Sequence, residues 1–254
     1  MARAGGPPVP LDPFDRAPIG VFAYARGDGT PNAVPVTPFV VDGGIVVTST
    51  LAYVAKAAAV RRDPRVALLA GGTSVATTAT VAVDPTPDWF NTHIREAEIA
   101  KFPPTRQFLG IPFHECLLPW YSARVVIALD PAVPRSTPGS DRVTLTTVDG
   151  DGFPRIDLLT GGVDLDAGSL DVPGVDDGPA VLLVHEEHAD MADLRQLTLT
   201  GEVRDGRFAV TGRRGSLAPG PTSVRAQVAV VRRMHRLARA NRDRLSGWPT
   251  LSAS

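Results

Sequence analysis

Two glycine turns cut the first apolar stretch of this chain into pieces too short for anything but β-structure. Arg26-Gly27-Asp28-Gly29 and Asp42-Gly43-Gly44 separate runs at residues 19–25, 32–41 and 44–49, each rich in Val, Ile, Phe or Thr. Asp-Gly pairs supply the backbone conformations that tight hairpins need, so the three runs predict an antiparallel meander. The same punctuation continues to the end: 24 Gly and 24 Pro in 254 residues predict many short strands joined by tight turns. Further strands are expected at 65–71 and at 76–83, where alternating small and β-branched residues suit a barrel wall. A helix is expected over 88–101, opened by Pro87 and ended by Phe102-Pro103-Pro104, and a strand over 123–129 closes the first half.

The chain is long enough for one large or two small domains with a proper core. Cys116 is the sole cysteine, which excludes an intrachain disulfide and fits a reducing, cytoplasmic setting. Residues 1–16 are rich in Gly and Pro and read as a loose arm without the apolar centre of a signal peptide. No apolar run reaches membrane-spanning length, and a formal net charge of −1 creates no field that gathers nucleic acid. The expected partner is a small-molecule substrate, with no nucleic acid and no membrane.

Chemistry concentrates first at the end of the third run. Thr48, Ser49 and Thr50 can cap a helix over residues 52–60, which would bring hydroxyls, free backbone N–H groups and the positive helix end together as an anion site. Lys56 adds a charge further in, Arg61 and Arg62 follow, and Asp63-Pro64 stops the helix. Of the 26 basic residues only Lys56 and Lys101 are lysines, so the compact ammonium inside this helix stands out in a chain that otherwise uses arginine. The same spacing also serves an ordinary capped helix with its basic residues in water.

Asp28-Gly29-Thr30-Pro31, Val34-Pro35-Val36, Asp42-Gly43-Gly44-Ile45-Val46-Val47-Thr48-Ser49, Ala55-Lys56-Ala57 and Arg61-Arg62-Asp63-Pro64-Arg65-Val66-Ala67-Leu68 together resemble the pyridoxamine 5′-phosphate oxidase-like, FMN-binding split-barrel family, over about residues 18–130. The resemblance implies a mainly β fold with flanking helices, a split β-barrel. It implies that Thr48, Ser49, Thr50, Lys56 and Arg61 hold a cofactor phosphate while Val34, Pro35 and Val36 lie along the flavin ring. FMN is the first cofactor it suggests and coenzyme F-420 the second. Haem stays open because some relatives bind it through a histidine, although none of His93, His114, His185, His188 and His235 sits in an alignable motif. The implied activity is hydride transfer to or from a small organic substrate, and the other reading is a non-enzymatic flavin- or haem-binding protein. The family builds its site across a subunit interface, which implies a homodimer, or a monomeric pseudo-dimer if one chain carries both halves.

A second candidate region precedes residue 124. Trp120 and Tyr121 can wall a planar ligand and Arg124 can meet a carboxylate or phosphate, so these three are the substrate-binding candidates; packing of a closing barrel strand needs the same residues. His185-Glu186-Glu187-His188 invites a metal but has no third ligand at a set spacing, so no metal site is expected. Nucleophile elbow, Walker loop, zincin motif and Cys cluster are all missing from the sequence, which leaves redox chemistry to a cofactor and no assignable catalytic side chain.

The second half echoes the first. Asp28-Gly29-Thr30-Pro31 returns as Asp151-Gly152-Phe153-Pro154 at an offset of 123, and residues 63–69 return as 177–183, with Pro64 and Pro179 offset by 115. The later copy is shorter where the Lys56 helix lies, and it has no basic residue between Gly161 and Pro179. The expected organisation is an arm (1–16), a flavin-binding split barrel (17–130), a linker (131–140), a degenerate split-barrel-like repeat (141–215) and a C-terminal helix and tail (216–254). That helix, over 223–244, puts Val224, Val228, Val231, Met234 and Leu237 on one face among its arginines and should pack on the barrel or on a partner chain.

Overall fold

The computed structural model describes residues 11–103, 105–110, 112–113, 119–137, 139–140, 142–160, 163–187, 194–219 and 224–251. Its first sheet holds β1 (Gly20–Ala25), β2 (Pro31–Val36), β3 (Pro38–Val41), β4 (Gly44–Thr50), β5 (Arg65–Ala70), β6 (Thr73–Asp84), β7 (Arg124–Leu129) and the short β8 (Arg135–Ser136). Its second holds β9 (Val143–Val148), β10 (Pro154–Leu158), β11 (Ser169–Asp171), β12 (Gly178–Glu187), β13 (Leu194–Arg204) and β14 (Arg207–Ser216). The helices are α1 (Asp12–Arg16), α2 (Ala55–Arg62), α3 (Asp88–His93), α4 (Arg95–Lys101), α5 (Thr105–Leu109), α6 (Pro119–Ser122) and α7 (Val224–Arg244). The protein is mainly β with flanking helices, a split barrel built from two antiparallel sheets.

The two sheets have one topology. The first runs β2-β1-β5-β6-β7-β4-β3, with β8 on β6, and the second runs β10-β9-β12-β13-β14-β11. Taken in chain order, β9 and β10 stand where β1 and β2 stand, β12 to β14 where β5 to β7 stand, and β11 where β4 stands. Turn chemistry repeats with them. Arg26 N–H donates to Thr30 O and Gly29 N–H to Arg26 O, as Asp149 N–H does to Phe153 O and Gly152 N–H to Asp149 O. Both turn glycines have φ of 81°, a left-handed value that a side chain resists. The strand register pairs Phe22 with Leu68 and Leu145 with Leu182, which aligns the two copies by 114 residues at this strand and leaves the two prolines one position out of step.

Alternation then gives each sheet two faces. In the first half Phe22, Tyr24, Val66 and Leu68 point into a core shared with α2 and β7, and in the second half Leu145, Leu182, Leu199 and Phe208 do the same. The opposite faces meet each other: Val21, Ala23, Ala33, Ala67 and Leu69 pack against Ile156, Val181 and Leu183. β2 lies on β12 as β5 lies on β10, and β1 lies on β10 as β2 lies on β9, so the seam is a two-fold arrangement within one chain. Three alanines on the first-half side let the sheets approach closely.

Several expectations need correction. The opening strands do not form a meander, because Thr37 before Pro38 ends β2 and the β3–β4 hairpin pairs with β7 at the far side of the sheet. The helix expected over 88–101 breaks at Ile94 (φ −117°) into α3 and α4. The described part of the N-terminal arm is not loose, since Phe14 of α1 is fully buried in the first core. The expected linker is anchored by β8 and by a 2.8 Å hydrogen bond between the Ser74 and Thr137 hydroxyls.

If the seam ties the halves into one cooperative unit, Leu183→Ala should cost about 2–5 kcal/mol. Urea unfolding followed by tryptophan fluorescence and by far-UV circular dichroism should show both signals shifting together; separate transitions would mean that the halves unfold independently.

Candidate functional site

Antiparallel pairing of β4 with β7 sets Thr50 opposite Arg124, and pairing of β6 with β7 sets Asp84 opposite Arg124 on the other side. The two regions that the sequence offers as separate candidates, 48–56 and 120–124, therefore share one end of the first sheet. α6 carries Trp120, Tyr121 and Ser122 directly into β7.

The three hydroxyls do not converge. Side chains alternate along β4, with Ile45 and Val47 in the first core and Val46 packed with Phe39, Phe90 and Ile94 on the other face. Ser49 follows the first face, is buried, and spends its hydroxyl on Tyr53 O, while Thr48 and Thr50 follow the second. A turn at residues 51–54 intervenes before α2, whose N-cap is Val54 with no side-chain cap, so the predicted hydroxyl cap on a helix from 52 is corrected. The predicted stop holds, with Asp63 extended at the C-cap. The Thr50 hydroxyl is buried without a hydrogen-bond partner.

Lys56 retains some exposed surface yet is crowded enough that its pKa is pushed down to about 8, chiefly by desolvation and then by the Arg124 charge. Arg61 is turned elsewhere, its guanidinium 4.6 Å from the Trp248 ring. In β2, Val34 and Val36 pack into the first core, while Pro35 shares the alternate face with Ala33. The three residues expected along a flavin ring are thus divided between two faces.

Arg124 is 2 % exposed and sits between the rings of Phe90 (4.2 Å) and Tyr121 (4.7 Å), with Nη2 donating to both oxygens of Glu98 at 3.1–3.2 Å. Tyr121 donates to Glu98 Oε1 at 2.6 Å; burial, with the adjoining Glu98 charge, raises its pKa strongly. Glu98 is the partner that sequence reasoning missed, because nothing local marks a helix carboxylate as the counter-ion of a strand arginine. Arg124 Nη1, Ser122 Oγ and Trp120 Nε1 are buried without partners. Thr50 stands opposite Arg124 and the Arg124 charge reaches Lys56, so this end of the sheet gathers several donors and two cations, together with two carboxylates, Glu98 bound to Arg124 and Asp84 opposite it.

The C-terminal helix covers this end. Buried Asn241 donates to Leu51 O (3.0 Å) and Ala52 O (3.3 Å), the turn that joins Thr50 to α2, and His235 stands edge-on to Trp120 at 6.2 Å. Beyond the helix, Val83 N–H donates to Pro249 O and Leu251 N–H to Val83 O. The face of α7 expected to pack is corrected here: Val228 is exposed, and Ala238, Asn241 and, beyond the helix, Leu245 make the contact. His114, Cys116 and His188 lie outside the described residues. Among the described residues no group of three His, Cys, Asp or Glu could hold a metal, and no helix is long and apolar enough to cross a membrane.

No family model and no curated protein matches the chain. Among solved structures it is similar to the conserved hypothetical protein Rv2991 from Mycobacterium tuberculosis (20% identity, TM-score 0.39, 60% of this chain and 89% of that one). It is also similar to an F420 reductase (18%, 0.37, 49% and 94%) and to a putative pyridoxamine 5′-phosphate oxidase from Listeria innocua (21%, 0.33, 50% and 93%). Likenesses this low decide nothing about the chemistry of the chain.

Burial of an unpaired ammonium has a stability signature. The folded pKa of Lys56 (about 8) lies below the unfolded 10.5, so its charge destabilises the fold at neutral pH and the loss is recovered as pH rises from 8 towards 10.5. Lys56→Met should be more stable than wild type near neutral pH, with the difference closing at high pH, in paired urea titrations. Lys101, lowered by burial in the same way, is common to both proteins and cancels. Inorganic phosphate should stabilise wild type and not the variant; a variant that is less stable at neutral pH would contradict the assignment.

Proposed function

We propose that the chain is a flavin-dependent oxidoreductase that binds FMN, or coenzyme F-420 in its place, and passes hydride to or from a small organic substrate. The observation that carries this reading is the end of the first sheet at Lys56: the Lys56 ammonium is desolvated and feels the Arg124 charge, the Thr50 hydroxyl opposite Arg124 has no partner, and a cofactor phosphate would answer both. The sequence pattern around it, from Asp28 to Leu68, supports the same assignment.

In this reading Thr50 and Lys56 hold the phosphate end, as donor and point charge. Ser49 acts indirectly by fixing the turn through Tyr53 O. Pro35, on the β2 face that adjoins the second sheet, offers backbone and ring contact to the isoalloxazine, while Val34 and Val36 support it from the core. Of the three substrate candidates, Trp120 is the one with a free donor and partial exposure. Tyr121 and Arg124 are committed to Glu98 and hold the corner's shape. The flavin, when bound, supplies the hydride chemistry; the protein places it and excludes water.

The seam bears on assembly. The surface that a homodimer of such barrels would use is covered here by the second sheet, so we take the protein to be a monomeric pseudo-dimer rather than a homodimer. Light scattering should give about 26.8 kDa, and a doubled mass would return the homodimer.

Titration of the protein with FMN and with F-420, read by flavin fluorescence, tests the cofactor. Lys56→Ala should weaken binding on the order of tenfold or more, the loss of a hydrogen bond to a charged group. Wild-type affinity should fall as pH rises through about 8. Unchanged affinity in Lys56→Ala would remove the phosphate assignment.

A further inference from the structure

A second site lies in the other half, where the repeat is incomplete. In the first sheet β4 is followed at the edge by β3; in the second, β11 is the edge and no strand follows it among the described residues. β10 and β11, the two end strands of the second sheet, both line one cleft of about 470 Å³ with Arg155, Asp157 and Leu158 on one side and Leu170, Asp171 and Val175 on the other. The sheet has curled until its edges face each other across the gap that a missing hairpin strand leaves. That volume falls within the range of small-molecule sites.

Asp157 is out of place there. The offset of 123 residues that relates β2 to β10 puts it where Val34 stands in the first half, and Val34 packs against the first core. Arg155 Nε donates to Asp157 Oδ1 at 3.0 Å and the same guanidinium lies 3.8 Å from Asp176. Asp157 Oδ2 is shut off from solvent and has no partner. A carboxylate oxygen buried that way costs free energy until a donor reaches it. Arg155 is shared by Asp157 and Asp176, and Asp171 on the rim pairs with Arg207 at 3.5 Å, so three carboxylates face two arginines and the cleft is hostile to anions.

We propose that this cleft binds a small organic cation, a protonated amine on an apolar body, with the ammonium donating to Asp157 Oδ2 and the body against Leu170 and Val175. The site is independent of the Lys56 corner and of any flavin.

The test titrates the full-length protein with benzylammonium and, separately, with benzoate, which has a similar shape and the opposite charge, following backbone amide shifts by NMR. Benzylammonium should saturate, with the shifts centred on β10 and β11, and benzoate should not. Asp157→Asn should lower the affinity on the order of tenfold or more, and Val163→Trp, which fills the cleft from its wall and leaves the carboxylate intact, should abolish binding. If Asp157→Asn does not fold, Val163→Trp and the charge preference decide. Equal binding of the two probes, an unaffected Val163→Trp, or no saturation by about 10 mM benzylammonium, roughly 2.7 kcal/mol of binding, would overturn the proposal.

Discussion

The packing of one sheet face on its own repeat is the constraint from which the rest of the molecule follows. A β-sheet with two apolar faces cannot stand alone in water, and β1, β2 and β5 have apolar side chains on both: Phe22 and Leu68 towards the barrel core, Val21 and Leu69 away from it. The second half supplies the cover through equivalent strands. Arg65 reaches across the seam to donate to Asp151 O at 2.8 Å, in the turn whose Gly152 has no Cβ to obstruct it. β9, β10 and β12 are held by this role, and among the described residues of their half no strand stands where β3 does and no helix where α2 does.

That asymmetry accounts for where chemistry remains. Among the described residues α2 and the turn before it stand in the first half alone, and with them Thr50 and Lys56. Register does the assembling: pairing of β4 with β7 sets Arg124 beside Thr50, and α4 brings Glu98 to neutralise Arg124 without neutralising Lys56. The C-terminal helix then closes the corner, with Asn241 holding the turn by two hydrogen bonds that a leucine could not make. What remains is a desolvated Lys56 ammonium, the setting in which a bound anion gains most.

Local features were legible in the sequence and long-range pairings were not. Asp-Gly turns and the Asp63-Pro64 helix stop are written in neighbouring residues, and so is the echo between the halves, because similar turns recur at similar offsets; the face of α7 that packs is not the one expected, since Val228 is exposed while Ala238 and Leu245 are buried. The placement of β3–β4 beyond β7 is decided by which apolar edge is free after folding, and a strand reads the same from sequence wherever it pairs. Hydroxyl convergence failed for a related reason: three consecutive residues on a strand cannot share a face, so Ser49 had to part from Thr48 and Thr50. Tyr121 and Arg124 looked like ligand groups because the carboxylate that claims them lies on another element.

The central claim is that the Lys56 corner holds the phosphate of a flavin. An absorption spectrum of the protein as purified, and of the small molecules released when it is denatured, tests it most directly. The account predicts a flavin or deazaflavin band that leaves with the released fraction and is lost from protein purified as Lys56→Ala. A Soret band, or a colourless protein that takes up neither FMN nor F-420 when they are added, would contradict it.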